Sequence, residues 1–220
     1  MVIAPPRRAS IDGVTFIELL AVLVIFLVLA AMVMPGLRGM MGSSNLRGSS
    51  GMVLAQLDLA RQTASTRNLP VDVRLYQDTT KTPDSNGNSP YRLLALVIPA
   101  SAGTSGSDEF LAVPQGLPGD VIIDSSTVYS SLLNTGLGAA GLRPVAATEL
   151  ASAPMAVRHL PYIQFVFLPN GTANLDTSQQ WCLTLINKNS APKNPTSAPA
   201  SNFVTLILDP ETSHAREYQP

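Results

Sequence analysis

The sequence predicts an α+β protein in which a long N-terminal transmembrane helix leads into a head domain, with an antiparallel β-sheet packed on the C-terminal half of that helix. Three observations carry this expectation. An unbroken apolar run from Leu19 to Met34 extends to 21 positions when counted from Val14, close to the ~20 a spanning helix needs. Val53, Leu57, Ala60 and Ala64 then recur at helical spacing, with Leu54 beside them, a stripe suited to lie on a sheet. From Val71 onward the chain breaks into short apolar and alternating segments separated by turn residues.

Composition limits the function classes. The 220 residues are 45% hydrophobic and 13% charged, with mean hydropathy +0.21, and the apolar excess is concentrated near the N-terminus. Net charge is −1 with no long run of either sign, so no nucleic-acid partner, polybasic patch or acidic tail is expected. The roughly 150 residues beyond Val71 suffice for one core.

At the N-terminus, Arg7 and Arg8 precede the apolar run and hold the first residues in the cytoplasm by the positive-inside rule. Three readings fit: a signal peptide cut near Ala30 and Ala31, an uncleaved signal anchor, or a segment with a further purpose. The run is long for a signal peptide, whose apolar region is usually ~7–15 residues. A plain anchor leaves Glu18 unexplained, since a carboxylate at helix-centre depth costs roughly 2.5–3.5 kcal/mol and is kept only with a partner.

The stretch Gly13-Val14-Thr15-Phe16-Ile17-Glu18 resembles the processing site of type IV prepilins and type II secretion pseudopilins. Val14 stands where that family usually has Phe, and Asp12 where it often has a basic residue. The resemblance implies a leader over 1–13, cleavage by a prepilin peptidase between Gly13 and Val14, and methylation of the new N-terminus. It makes Glu18 the fifth mature residue and Pro35 the site of a helix bend. Cleavage frees the α-amino group of Val14, a cation near neutrality. Glu18 then pairs with that amine, its own or a neighbour's, offsetting the burial of both charges.

After Pro35, glycines at 36, 39, 42, 48 and 51 give a soft stem over 36–51, each costing about 1 kcal/mol in a helix relative to alanine. This stretch reads equally as a linker or as a stem able to melt. Helical periodicity returns and ends at Asn68 and Pro70, so the helix is assigned to 14–68 and the head to 69–220. "VDVRLY" (71–76) alternates as a half-buried strand. "LDLARQTASTRNLPVDVRLY" resembles the helix-to-strand passage of the FimT/GspH pseudopilins, and a narrower likeness is to the prepilin-like set called Verru_Chthon cassette protein D.

Further strands are expected at 91–98 and 119–124, while 125–161 shows no clear period. "YIQFVFLPNGTA", turning at Asn170-Gly171, "WCLTLINK" and "NFVTLILDPE" are expected as three antiparallel strands. "FVFLPNGT" and the "REYQP" ending resemble the hairpin and final strand pair of the same subgroup. The Pro- and Ser-rich 187–202 separates the last two strands as a loop.

Little in the head suggests chemistry. His159 and His214 are expected as solvated loop residues, and Cys182 as a small buried hydrophobe in a strand. There is no nucleophile elbow. The Asp84–Asn88 stretch begins like a calcium loop, but its glycine is at 87 and Ala95 stands where a bidentate carboxylate is needed, so a polar turn is the better account. No metal, cofactor or enzymatic activity is expected.

The resemblance implies a structural minor subunit of a type II secretion or type IV pilus-like filament. It would be single-pass in a bacterial inner membrane, with its N-terminus cytoplasmic and its head periplasmic. Its expected partners are other pilin or pseudopilin subunits, prepilin peptidase, the inner-membrane assembly platform and membrane lipid. The alternative is a membrane-anchored periplasmic binding protein with an uncleaved anchor.

Overall fold

The computed structural model describes residues 15–84, 87–102, 106–134, 143–145, 153–190, 200 and 202–219, with the side chains of 32–41, 143 and 144 outside that set. The chain divides into two compact units, Met1–Met41 and Gly42–Pro220. One helix, α1 (Phe16–Arg67), contributes to both.

In the second unit, Leu46, Val53, Leu57, Ala60 and Ala64 of α1 form a buried stripe. Burial of each large apolar side chain contributes about 1.5–3 kcal/mol. The helix ends in a left-handed cap: Asn68 takes φ 52° and the Leu69 N–H reaches back to the Ala64 carbonyl at 3.3 Å. Asparagine tolerates that conformation, and Pro70 prevents continuation.

Ten strands follow among the described residues: β1 (Val71–Gln77), β2 (Tyr91–Ile98), β3 (Glu109–Phe110), β4 (Gln115–Gly116), β5 (Val121–Ile123), β6 (Arg143–Val145), β7 (Tyr162–Phe167), β8 (Trp181–Asn187), β9 (Phe203–Leu208) and β10 (Ala215–Tyr218). They form one sheet in the order β10-β9-β8-β5-β2-β1-β7-β6, with β3 and β4 also pairing β2. Every pairing is antiparallel. Val73 is central, opposite Leu96 on one side and Phe165 on the other. The helix stripe joins Val71, Val73, Leu75, Leu96, Phe165, Trp181 and Leu206 in the main core.

Two features answer points that the sequence reading left open, and two depart from it. Residues 42–51 of the soft stem are helical, and Leu46, Ser49 and Ser50 are buried, because the sheet supplies packing that outweighs the glycine cost. β1 is buried on both faces rather than half-buried. Its second face lies under the turn at 153–160, where Ala153, Val157 and Leu160 cover Tyr76, Ala95, Val97 and Tyr162. β7 does not lie beside β8: it pairs with β1 and β6, and the Asn170-Gly171 turn leads only to a single bridge, Phe167 to Ala173. The middle, 125–161, which shows no clear period, supplies the short strand β6 and a 3-10 turn at Ser131–Leu133.

A side chain at Gly119 would be strained and would push the Asn45 side chain aside. Its φ is 60°, and a Cβ there would stand 2.4 Å from the Asn45 side-chain nitrogen, joining the β4–β5 loop closely to α1.

Candidate assembly site

Gly13 and Val14 lie outside the described residues. The description begins at Thr15, and the first turn of α1 carries Glu18. The Glu18 N–H points back to the Thr15 carbonyl at 3.1 Å and to its hydroxyl at 3.4 Å. Thr15 therefore stands as the N-cap, with Glu18 three positions on. Thr-x-x-Glu is the capping-box spacing, and an acid in the first turn is also favoured by the helix dipole. The capping spacing is carried by the sequence at 15–18, alongside the expected pairing of the Glu18 carboxylate with the Val14 amine.

From Phe16 to Leu29 the large apolar side chains face outward on every side of the helix; Phe16 is 80% exposed and Phe26 70%. A helix that is apolar all round is stable only in apolar surroundings. Among the described residues no helix is long and apolar enough to cross a membrane. The run with described side chains ends at Ala31, and sixteen residues rising about 1.5 Å each give roughly 24 Å, against ~30 Å of hydrocarbon. The expected 14–34 span reaches beyond that run at both ends. Pro35 lies within α1, and the expected bend falls where side chains are not described.

The head contains charge that the strand pattern concealed. Asp72 and Arg74 were read as the solvent face of β1, yet both are buried. The Arg74 guanidinium donates to Asp72 at 3.1 Å and to Asp108 at 2.7 Å, and sits 5.0 Å from the centre of the Tyr162 ring. Burial disfavours its charge, but the hydrogen bond to Asp108 and the surrounding negative groups outweigh that and hold the guanidinium protonated. Burial likewise pushes the Tyr76 phenol up to about 12, against the opposing pull of Arg74. Asp108 also accepts from the Ala100 N–H at 3.0 Å, so the cluster fastens the β2–β3 loop across β1.

Asp84 and Asp124 approach one another between the β1–β2 loop and the end of β5. Burial, and then the Asp84 charge, raise the Asp124 carboxyl above the usual carboxylate range. Asp84 accepts from the Asn88 N–H and from the Ser125 hydroxyl, both at 2.9 Å, while residues 85 and 86 of the expected polar turn lie outside the described residues. Among the described residues no three His, Cys, Asp or Glu are placed to hold a metal ion. Cys182 lies in β8, partly exposed, its Sγ 3.4 Å from the Tyr129 carbonyl. His159 is exposed. His214 is exposed too, but it is not merely solvated: Arg61 Nη1 lies 3.2 Å from its Nε2.

No known family matches the chain by sequence, and no curated protein matches it. Two solved structures resemble its fold. One is the minor pseudopilin EpsH from the type 2 secretion system of Vibrio cholerae, at 12% identity and TM-score 0.43, covering 80% of this chain and 98% of that one. The other is the type IV minor pilin FimU of Pseudomonas aeruginosa, at 12% identity and TM-score 0.40, covering 80% of this chain and 89% of that one.

Proposed function

We propose that this chain is a structural, non-enzymatic minor subunit of a type II secretion or type IV pilus-like filament, processed after Gly13 and anchored through 14–34 until assembly. The observation that carries the reading is one combination. The Gly13-to-Glu18 pattern opens a helix that exposes apolar side chains all round from Phe16 to Leu29, and the same helix then packs its C-terminal half on an antiparallel sheet. Lipid first, and neighbouring copies or related subunits later, would satisfy that apolar surface. Glu18 would cap its own helix and, after cleavage, pair with the Val14 amine.

A second reading needs no cleavage: Thr15 caps the helix through its hydroxyl, which accepts from the Glu18 N–H, and an acid in the first turn suits the helix dipole. On that reading the chain is a membrane-anchored periplasmic binding protein. Glu18→Gln separates the two, since glutamine also serves a capping box but carries no charge. Filament assembly falls with Glu18→Gln under the first reading, and nothing changes under the second.

The direct test is the intact mass and N-terminal sequence of the chain from membranes of cells with and without active prepilin peptidase. A mature chain beginning at Val14 only when the peptidase is active supports the subunit. A chain retaining Met1 in both, or one beginning near Ala31, overturns it.

A further inference from the structure

The β9–β10 turn, residues 209–214, is tied to α1 through two side chains: Arg61 Nη1 donates to His214 Nε2 at 3.2 Å. A guanidinium keeps its protons and only donates. The imidazole nitrogen facing it is therefore the bare one, and His214 in this contact is neutral. Among the described residues no carboxylate forms an ion pair with Arg61. The other charged groups on the elements that meet here are Asp58 of α1, Asp209 and Glu211 of the turn, and Arg216 of β10. Asp209 is engaged within the turn. It accepts from the Thr212 hydroxyl at 2.8 Å and the Glu211 N–H at 3.0 Å, and these bonds hold its carboxyl below the usual carboxylate range. It stays charged where an imidazole titrates.

The turn is held in a costly conformation. Ser213 takes φ 55°, a region serine seldom adopts, and its hydroxyl is buried without a hydrogen-bond partner among the described residues. Two backbone bonds close the turn: the Asp209 N–H donates to the His214 carbonyl at 2.9 Å, and the Ala173 N–H to the Pro210 carbonyl at 2.8 Å.

We propose that His214 is a proton-operated catch. Neutral, it holds the 209–214 turn on α1 through Arg61; protonated, it offers no acceptor, stands against a like charge and lets the turn loosen. Relief of the strain at Ser213 acts in the same direction. An imidazole changes charge between pH 8 and pH 5, so the catch is closed at the upper pH and open at the lower. The β9–β10 ladder and the bond from the Ser50 hydroxyl to Glu217, 3.1 Å, confine the release to the turn.

Native-state hydrogen exchange of the full chain in detergent micelles, compared at pH 8 and pH 5 after correction for the intrinsic pH dependence of exchange, tests the catch. Protection of the Asp209 and Ala173 amides, relative to Val73 and Leu96, should fall roughly three- to tenfold at pH 5, the effect of one lost hydrogen bond. His214→Gln, whose side-chain carbonyl still accepts from Arg61 but takes up no proton, should keep both amides protected at pH 5. Arg61→Met should show the low protection at both pH values. Equal protection of the wild-type turn at the two pH values overturns the proposal. So does an acid loss that survives in His214→Gln, which would place the titration on the carboxylates of the turn. Should the variants fail to fold, the ring nitrogens of wild-type His214 decide: at pH 8 the proton must sit on Nδ1, and a ring protonated on Nε2 overturns the contact itself.

Discussion

The two parts of α1 have the same backbone and opposite surroundings. From Phe16 to Leu29 its large apolar side chains face outward; from Leu46 to Ala64 a single stripe is buried and the opposite side is polar or small apart from Leu59. Among the described residues nothing covers the first part, while the second is held by the sheet. Apolarity alone therefore does not say whether a helical segment is part of a core. What separates the two is the width of the apolar face, all round in one and one stripe in the other.

Substitutions that act on one part and not on the other put this contrast to the test. The largest effect is expected from Arg74→Ala, which strands the buried Asp72 carboxylate and the partly buried Asp108 and should cost about 3–5 kcal/mol of head stability. Urea unfolding followed through Trp181, the one tryptophan and fully buried, reads it. Leu57→Ala should cost about 2–5 kcal/mol by the same measurement, while the fraction of chain retained in membranes stays constant. Leu23→Arg should do the converse, disfavouring insertion by roughly 2.5–3.5 kcal/mol with the urea midpoint of the head unmoved. If Leu23→Arg destabilises the head as Leu57→Ala does, the two parts are not independent.

The helix ends sharpen the same comparison more gently. Thr15→Ala removes an N-cap worth about 1 kcal/mol and should lower helicity of the first turns without moving the head transition. At the other end, Asn68→Ala should destabilise the head by about 1–2 kcal/mol and Asn68→Gly hardly at all, because only the alanine is strained at φ 52°. The smallest effect is a pH effect confined to the head. The folded-state carboxyl of Asp124 is raised, so the neutral form is preferred and stability is lost as pH rises from below the ordinary carboxylate range through the raised value. Asp124→Asn should therefore raise the urea midpoint at pH 7, and the gain should vanish by pH 3.

Some of this was legible in local pattern. The periodicity of Val53, Leu57, Ala60 and Ala64 placed the buried stripe, and Asn68 with Pro70 placed the helix end. The strands at 71–77, 91–98 and 203–208 follow from short β-forming runs between turn residues. Legibility failed wherever distant segments meet. "VDVRLY" has the alternation of a half-exposed strand, and nothing within it says that residues 153–160 will cover Tyr76 or that Asp108 will meet Arg74. The Thr15–Glu18 cap has a local signature in its spacing, while the bonds that the Cys182 and Thr184 N–H groups donate to the Ser131 and Ser130 hydroxyls have none.

The sequence by itself determined which segments are helix or strand, the polarity of the N-terminal run and the turn chemistry, because these depend on neighbours within a few residues. Tertiary structure alone decided that β7 lies beside β1 rather than β8, that Arg74 is enclosed by two carboxylates, and that serine hydroxyls complete the edge of β8. Strand order and buried polar partners are settled by which distant groups satisfy one another once water is excluded, and that information is spread over the whole chain.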